Sequence, residues 1–127
     1  MRAMKRERKY SQSKEDFLEA LLMLEQSKQP LETTRVAKML GISKPAVHQM
    51  GHELIDLGLI TRVDYGDMTL TDRGREVAEK TLEKHHLLEK FLLKLGVSEE
   101  IAKQDCCEIE HVLSEETIQK IREFVEK

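Results

Sequence analysis

A chain of 127 residues, 39% hydrophobic, 35% charged and carrying a net charge of −3, has room for one ordinary domain or two small ones. It holds no run of about 18 apolar residues, which excludes a transmembrane helix, and its basic start leads into no apolar stretch, which argues against a secretory signal. Its two cysteines, Cys106 and Cys107, are neighbours, so a disulfide framework is not expected and a cytoplasmic location fits.

The charge is unevenly placed. Arg2, Lys5, Arg6, Arg8 and Lys9 stand against the single acid Glu7 at the start, whereas the last thirty residues are rich in glutamate. Binding to a polyanion depends on such local positive charge rather than on the sum. Residues 1–12 read as a flexible basic arm.

A helix is expected over 13–26, with Ser13 as N-cap and Phe17, Leu18, Leu21, Leu22 and Leu24 on a buried face. Ser27-Lys28-Gln29-Pro30 breaks the chain. A short helix follows, capped by Thr33 or Thr34, with Val36, Ala37 and Leu40 inward, and it stops at Gly41. Ser43 then caps a third helix with Pro45 in its first turn, where a missing N–H costs nothing. That helix is expected to bury Val47, Met50, Leu54 and Leu57, and close packing is the default reason for Gly51 in its middle. Leu59–Val63 and Met68–Leu70 read as two strands joined by a turn at Asp64-Tyr65-Gly66-Asp67. Thr71 caps a long helix over 72–95 that Gly96 stops. Ser98 caps a fifth helix, 99–113, and Ser114 a sixth, 115–126, with Ile118, Ile121 and Val125 inward.

A short helix, a glycine-containing turn and a longer helix form the helix-turn-helix pattern, and the hairpin after it makes a wing. The fold class is therefore mainly α: a winged helix-turn-helix over 13–71, followed by an all-helical part over 72–127. In such motifs the second helix enters the major groove of double-stranded DNA by its N-terminal residues. These are Ser43, Lys44, Pro45, Ala46, His48 and Gln49. Lys44 and Gln49 can reach base edges, and Pro45 and Ala46 can touch a thymine methyl. Ser43, the arm and Arg62 on the wing are candidates for phosphate contacts.

Ligand-type residues occur in three places. Asp16 and Glu19 lie three apart on the first helix and share a face. His85 interrupts the apolar stripe Ala78, Leu82, Leu88, Leu92, Leu95 of the fourth helix. Cys107, Glu110 and His111 follow at i, i+3, i+4 on the fifth. Thiolate, carboxylate and imidazole together suit a mid-row divalent metal. Cys106 aligns instead with Ala102, Ile109 and Leu113, so it reads as core and Cys107 as ligand. A winged-helix regulator that answers to a non-metal signal is the alternative, with these residues structural. An enzyme is not expected, because no nucleophile–base pair in a cleft motif and no glycine-rich phosphate loop is visible.

At these residues the chain resembles the family of the diphtheria toxin repressor and the bacterial manganese transport regulator. The stretches that carry the likeness are Ser13–Glu19, Ser43–Gln49, Leu70–Gly74, Lys84–Glu89 and Cys107–Ser114, in order and over nearly the whole chain. The resemblance implies a homodimer joined through the helical part, binding a pseudo-palindromic DNA operator when a divalent metal is present. It implies repression of metal-uptake genes, and no membrane partner. It carries the metal positions over to Asp16, Glu19, His85, Cys107, Glu110 and His111, with Glu89 matching a ligand of a second metal site. Mn²⁺ or Fe²⁺ is the implied ion, with Co²⁺, Zn²⁺ or Ni²⁺ expected to compete in vitro. Asp16 matches the manganese type, where the iron type has methionine. Cys107 matches the iron type, where the manganese type has glutamate, and Lys103 stands where the iron type has a histidine ligand. The overall layout is expected to follow the manganese type.

Overall fold

The computed structural model describes residues 10–63 and 66–127. The basic residues of the expected arm, and Asp64 and Tyr65 of the expected turn, lie outside the described residues. The chain divides into two compact units, Met1–Arg75 and Glu76–Lys127.

In the first unit, α1 spans Gln12–Gln26, α2 Thr33–Leu40 and α3 Lys44–Asp56, followed by strands β1 (Ile60–Arg62) and β2 (Met68–Leu70). The cap of α1 is Ser11, not Ser13. Ser11 holds an extended backbone and its hydroxyl accepts from the N–H of Lys14, which leaves Ser13 inside the first turn. Phe17, Leu18, Ala20, Leu21, Leu22 and Leu24 are buried along the helix. Neither threonine caps α2. Its N-cap is Glu32, which makes no side-chain capping bond, and the Thr33 hydroxyl accepts from Arg62 Nη2 at 2.8 Å instead. Gly41 takes the left-handed conformation at φ 66° that ends the helix.

Ser43 caps α3 as expected, its hydroxyl accepting from the N–H of Ala46. Val47 and Leu54 are fully buried, but α3 stops at Asp56 and Leu57 is left 39% exposed. Close packing does not explain Gly51: a Cβ added there meets nothing within 4 Å. The two strands pair antiparallel, Ile60 with Leu70, Thr61 with Thr69 and Arg62 with Met68. The ladder is shorter than Leu59–Val63. Leu59 is buried beside it, with its carbonyl accepting from Thr71 N–H, and Val63 is exposed.

The long helix α4 spans Asp72–Leu95 and runs from the end of the first unit into the second. Thr71 opens it, accepting from Gly74 N–H while donating to the carbonyl of Gly58. Gly74 is required here. A Cβ at this position would stand 1.8 Å from the Leu59 carbonyl oxygen.

In the second unit, α5 (Glu99–Ile109) and α6 (Glu115–Glu126) accompany the rest of α4. The core joins Leu88, Cys106 and Ile118, with Leu87, Leu92, Ile109, Leu113 and Ile121 packed against it. Phe91 and Phe124 meet edge to face at 5.7 Å. Lys94 donates to the carbonyls of Phe124 and Lys127 at the end of α6, where a cation complements the helix dipole. Helix α5 ends at Ile109, four residues before the expected 113. Glu110 is its C-cap, and His111 and Val112 form a turn before Ser114 caps α6.

Candidate functional site

Helix α4, helix α5 and the turn after α5 bring donor groups together in the second unit. His85, on α4, points one ring nitrogen at the end of α5: its Nδ1 lies 3.2 Å from Glu110 Oε2. His111 Nε2 lies 3.1 Å from the other oxygen, Glu110 Oε1. Glu110 thus sits between two imidazoles. It is 3% exposed and His111 7%. The sulfur of Cys107 stands 3.7 Å from His85 Nδ1 and reaches solvent. Glu89, one turn beyond His85, faces Nε2 at 3.8 Å.

The early end of α5 shapes this arrangement. Cys107 is helical, while Glu110 and His111 are at the cap and in the turn. The i, i+3, i+4 spacing still delivers them to one place because Glu110 keeps αR backbone geometry and its N–H still bonds to the Cys106 carbonyl.

The electrostatics of the cluster favour an ionised carboxylate. Burial opposes the charge on Glu110, but hydrogen bonds from His111 and His85, and their charge, outweigh it and hold its carboxyl below the usual range. Burial pushes the Cys106 thiol up to about 12, with Cys107, Glu110 and Glu89 adding to the shift. Thiol, imidazole and carboxylate donors converge here as a divalent cation requires, so the donor set fits a metal.

Cys106 is where the reading from sequence was incomplete. It does belong to the core, at 0% exposure. Its sulfur nevertheless lies 3.7 Å from Nδ1 and 3.6 Å from Nε2 of His85. The signal available in the sequence was the Cys-Cys pair itself.

In the first unit, Asp16 and Glu19 stand one turn apart on α1. The residues expected to face DNA lie at the start of α3. Ser43, Lys44, Pro45, His48 and Gln49 are exposed and Ala46 is half-buried. Arg62 is more engaged than a phosphate contact requires. Its guanidinium donates to the Gly66 carbonyl and to Thr33, and lies 3.4 Å from His48 Nδ1, so it braces the wing against α2 and α3. Among the described residues no helix is long and apolar enough to cross a membrane.

Comparison with known proteins agrees with this layout. Residues 9–68 match the N-terminal DNA-binding domain of iron-dependent repressors, and residues 71–127 match their metal-binding and dimerisation domain. The chain is 40% identical over 119 residues to an uncharacterised HTH-type transcriptional regulator of Methanocaldococcus jannaschii, covering 92% of this chain and 95% of that protein. It is 36% identical over 113 residues to the transcriptional regulator MntR of Escherichia coli, covering 89% of this chain and 73% of that one. A solved structure of a manganese-dependent transcriptional repressor in complex with manganese superposes with a TM-score of 0.83 at 26% identity, covering 89% of this chain. The chain spans about half the length of that structure, 52%. A DNA-binding unit followed by a metal-binding and dimerisation unit, matched in order along the sequence, places this chain in the iron-dependent repressor family of metal-dependent transcriptional regulators.

Proposed function

We propose that this chain is a metal-activated repressor of manganese or iron uptake genes, acting as a homodimer on a pseudo-palindromic operator. The observation that carries the reading is the convergence of His85, Cys107, Glu110 and His111 around one buried carboxylate in the unit that matches the family's metal-binding domain. Asp16 and Glu19 are proposed as further carboxylate ligands on the strength of the sequence resemblance, and Glu89 as a ligand of a second ion.

A bound divalent cation supplies positive charge that these carboxylates and the thiolate otherwise lack. His85 and His111 bind it as neutral imidazoles and Cys107 as thiolate, so occupancy falls as the pH drops. The DNA-competent state gains in population only by the amount that it holds the cation more tightly than the inactive state does. At the operator, Lys44 and Gln49 read base edges from the start of α3, and Ser43 and Arg62 contact phosphates.

The test is a mobility-shift or anisotropy titration on a pseudo-palindromic promoter site with and without Mn²⁺ or Fe²⁺. Binding that strengthens with metal is the expected result. Equal affinity in both conditions overturns the proposal.

A further inference from the structure

The sulfur of Cys106 has no part in the function just proposed, yet it lies against the same imidazole. His85, Cys106 and Cys107 each present one donor atom, and these three atoms lie within 4.8 Å of one another. The two Sγ atoms stand 3.7 Å each from His85 Nδ1. Tetrahedral zinc, with bonds of about 2.0 Å to nitrogen and about 2.3 Å to sulfur, sets an N···S separation of about 3.6 Å. The three donors are near enough to share one thiophilic ion, and because Cys106 Sγ also lies 3.6 Å from His85 Nε2, the imidazole must turn to aim one nitrogen at an ion held by both sulfurs. Glu110 Oε2, 3.2 Å from the same nitrogen, is the fourth donor at hand. Cys107 is exposed and Cys106 fully buried, which gives the cluster a mouth and a base.

We propose that His85, Cys106 and Cys107 form a two-thiolate site for a thiophilic cation of the Zn²⁺ or Cd²⁺ class, built on the imidazole that also serves the carboxylate set. The inference shares His85 and Cys107 with the proposed regulatory site but stands on the sulfur geometry. Hard ions such as Mn²⁺ favour carboxylate and water oxygen, whereas thiolates select zinc and softer ions. One imidazole with oxygen donors on one side and two sulfurs on the other can serve either class through different ligands. Binding releases one proton from each of the two thiols to solvent, and the imidazole enters neutral. Because both sets use His85, the two classes of ion compete.

The experiment is X-ray absorption at the zinc edge on the full chain loaded with Zn²⁺ alone, paired with calorimetric Zn²⁺ and Mn²⁺ titrations of wild type, Cys106→Ser and Cys106→Ala. The wild type is expected to show two sulfurs at about 2.3 Å, and each variant one. Zn²⁺ affinity falls in both variants by more than about 100-fold, beyond what losing a supporting hydrogen-bond partner causes, and Mn²⁺ affinity is retained. A single sulfur in the wild type overturns the inference, and because it needs no variant it holds even if Cys106→Ala folds poorly. Unchanged Zn²⁺ affinity in folded Cys106→Ser overturns it too. Failure of the regulatory reading shows separately, as metal-independent DNA binding by the wild type whatever the sulfur count.

Discussion

Arg75, in the first turn of α4, holds the carboxylate of Glu25 near the end of α1 with both of its terminal nitrogens, Nη1 on Oε1 and Nη2 on Oε2. The pair ties the start of the long helix to the helix that carries Asp16 and Glu19, within the same unit. It lowers the pKa of Glu25, first through the hydrogen bond from Arg75, against the cost of burial, and then through the charge of Arg75.

Both side chains are just over a third exposed, so solvent screens the pair and its net worth is about 1 kcal/mol, the upper end for surface pairs, because the contact is two-pronged. A carboxylate with a depressed folded pKa stabilises the native state fully above its ordinary value near 4.5 and loses that contribution as the pH falls through the lowered folded value. Glu25→Gln is therefore expected to lower the melting temperature by about 4 °C at neutral pH, and the difference from wild type should shrink as the pH is taken below 4. Thermal melts across this range check it. A gap that widens on acidification contradicts the assignment.

Two glycines on helices make opposite predictions. Gly74 lies against the Leu59 carbonyl so closely that an added Cβ must displace backbone, whereas Gly51 has open space. Gly74→Ala is expected to destabilise the protein by about 3 kcal/mol, as overpacking does when nothing flexible can yield. Gly51→Ala should stabilise it by about 1 kcal/mol through helix propensity alone. Urea unfolding midpoints of the two variants provide the measurement, and a shift of the same sign in both would count against the packing argument.

Most of the fold was legible because its elements are punctuated by residues with one strong local use. Ser43, Ser98 and Ser114 cap their helices, and Gly41 and Gly96 end them at positive φ, as the sequence suggested. The misplacements have a common physical origin: a side chain with more than one available partner. Ser13 was expected to cap α1, but Ser11, two residues earlier, holds the extended backbone and accepts from Lys14 N–H. Thr33, one of two threonines placed to cap α2, accepts instead from Arg62, a partner far along the chain that local sequence does not reveal. Glu110 and His111 were assigned to a helix that ends before them. The cluster of His85 with Glu110 and His111 was legible as residue types at plausible spacings. That Cys106 belongs both to the core and to the surroundings of His85 was not, since helical periodicity sorts a residue to one face only.

At the start of α3, the exposed Lys44 and Gln49 are expected to play separable roles. Lys44→Ala should cost about 1–3 kcal/mol on the cognate operator through its lost base-edge contact and, because a cation is removed, reduce the slope of log affinity against log salt by about 1. Gln49→Ala should leave that slope unchanged and cost about 1–3 kcal/mol on the cognate operator, with relaxed preference at one base pair. Salt titrations of operator and scrambled duplexes separate the two. A Lys44→Ala effect equal on operator and scrambled duplexes would take that residue out of base reading.

The sharpest test of the metal centre is His111, because its loss acts on Glu110 as well as on the ion. Glu110 keeps its charge in a buried position through His111 and His85. In His111→Ala one of those partners is gone, so the Glu110 carboxyl is held less far below its usual range. A smaller depression contributes less stability above the ordinary carboxylate range, so less is left to lose on acidification than in the wild type. Leaving a buried acceptor short of a partner costs about 1–3 kcal/mol, which a chain of this size tolerates without unfolding. The variant is expected to remain helical by circular dichroism and to melt lower at neutral pH, with the gap from wild type narrowing as the pH is taken below the ordinary carboxylate range. Calorimetry should show Mn²⁺ binding abolished, and operator binding should no longer respond to Mn²⁺. A folded His111→Ala protein that still tightens on its operator when Mn²⁺ is added would remove His111 from the ligand set.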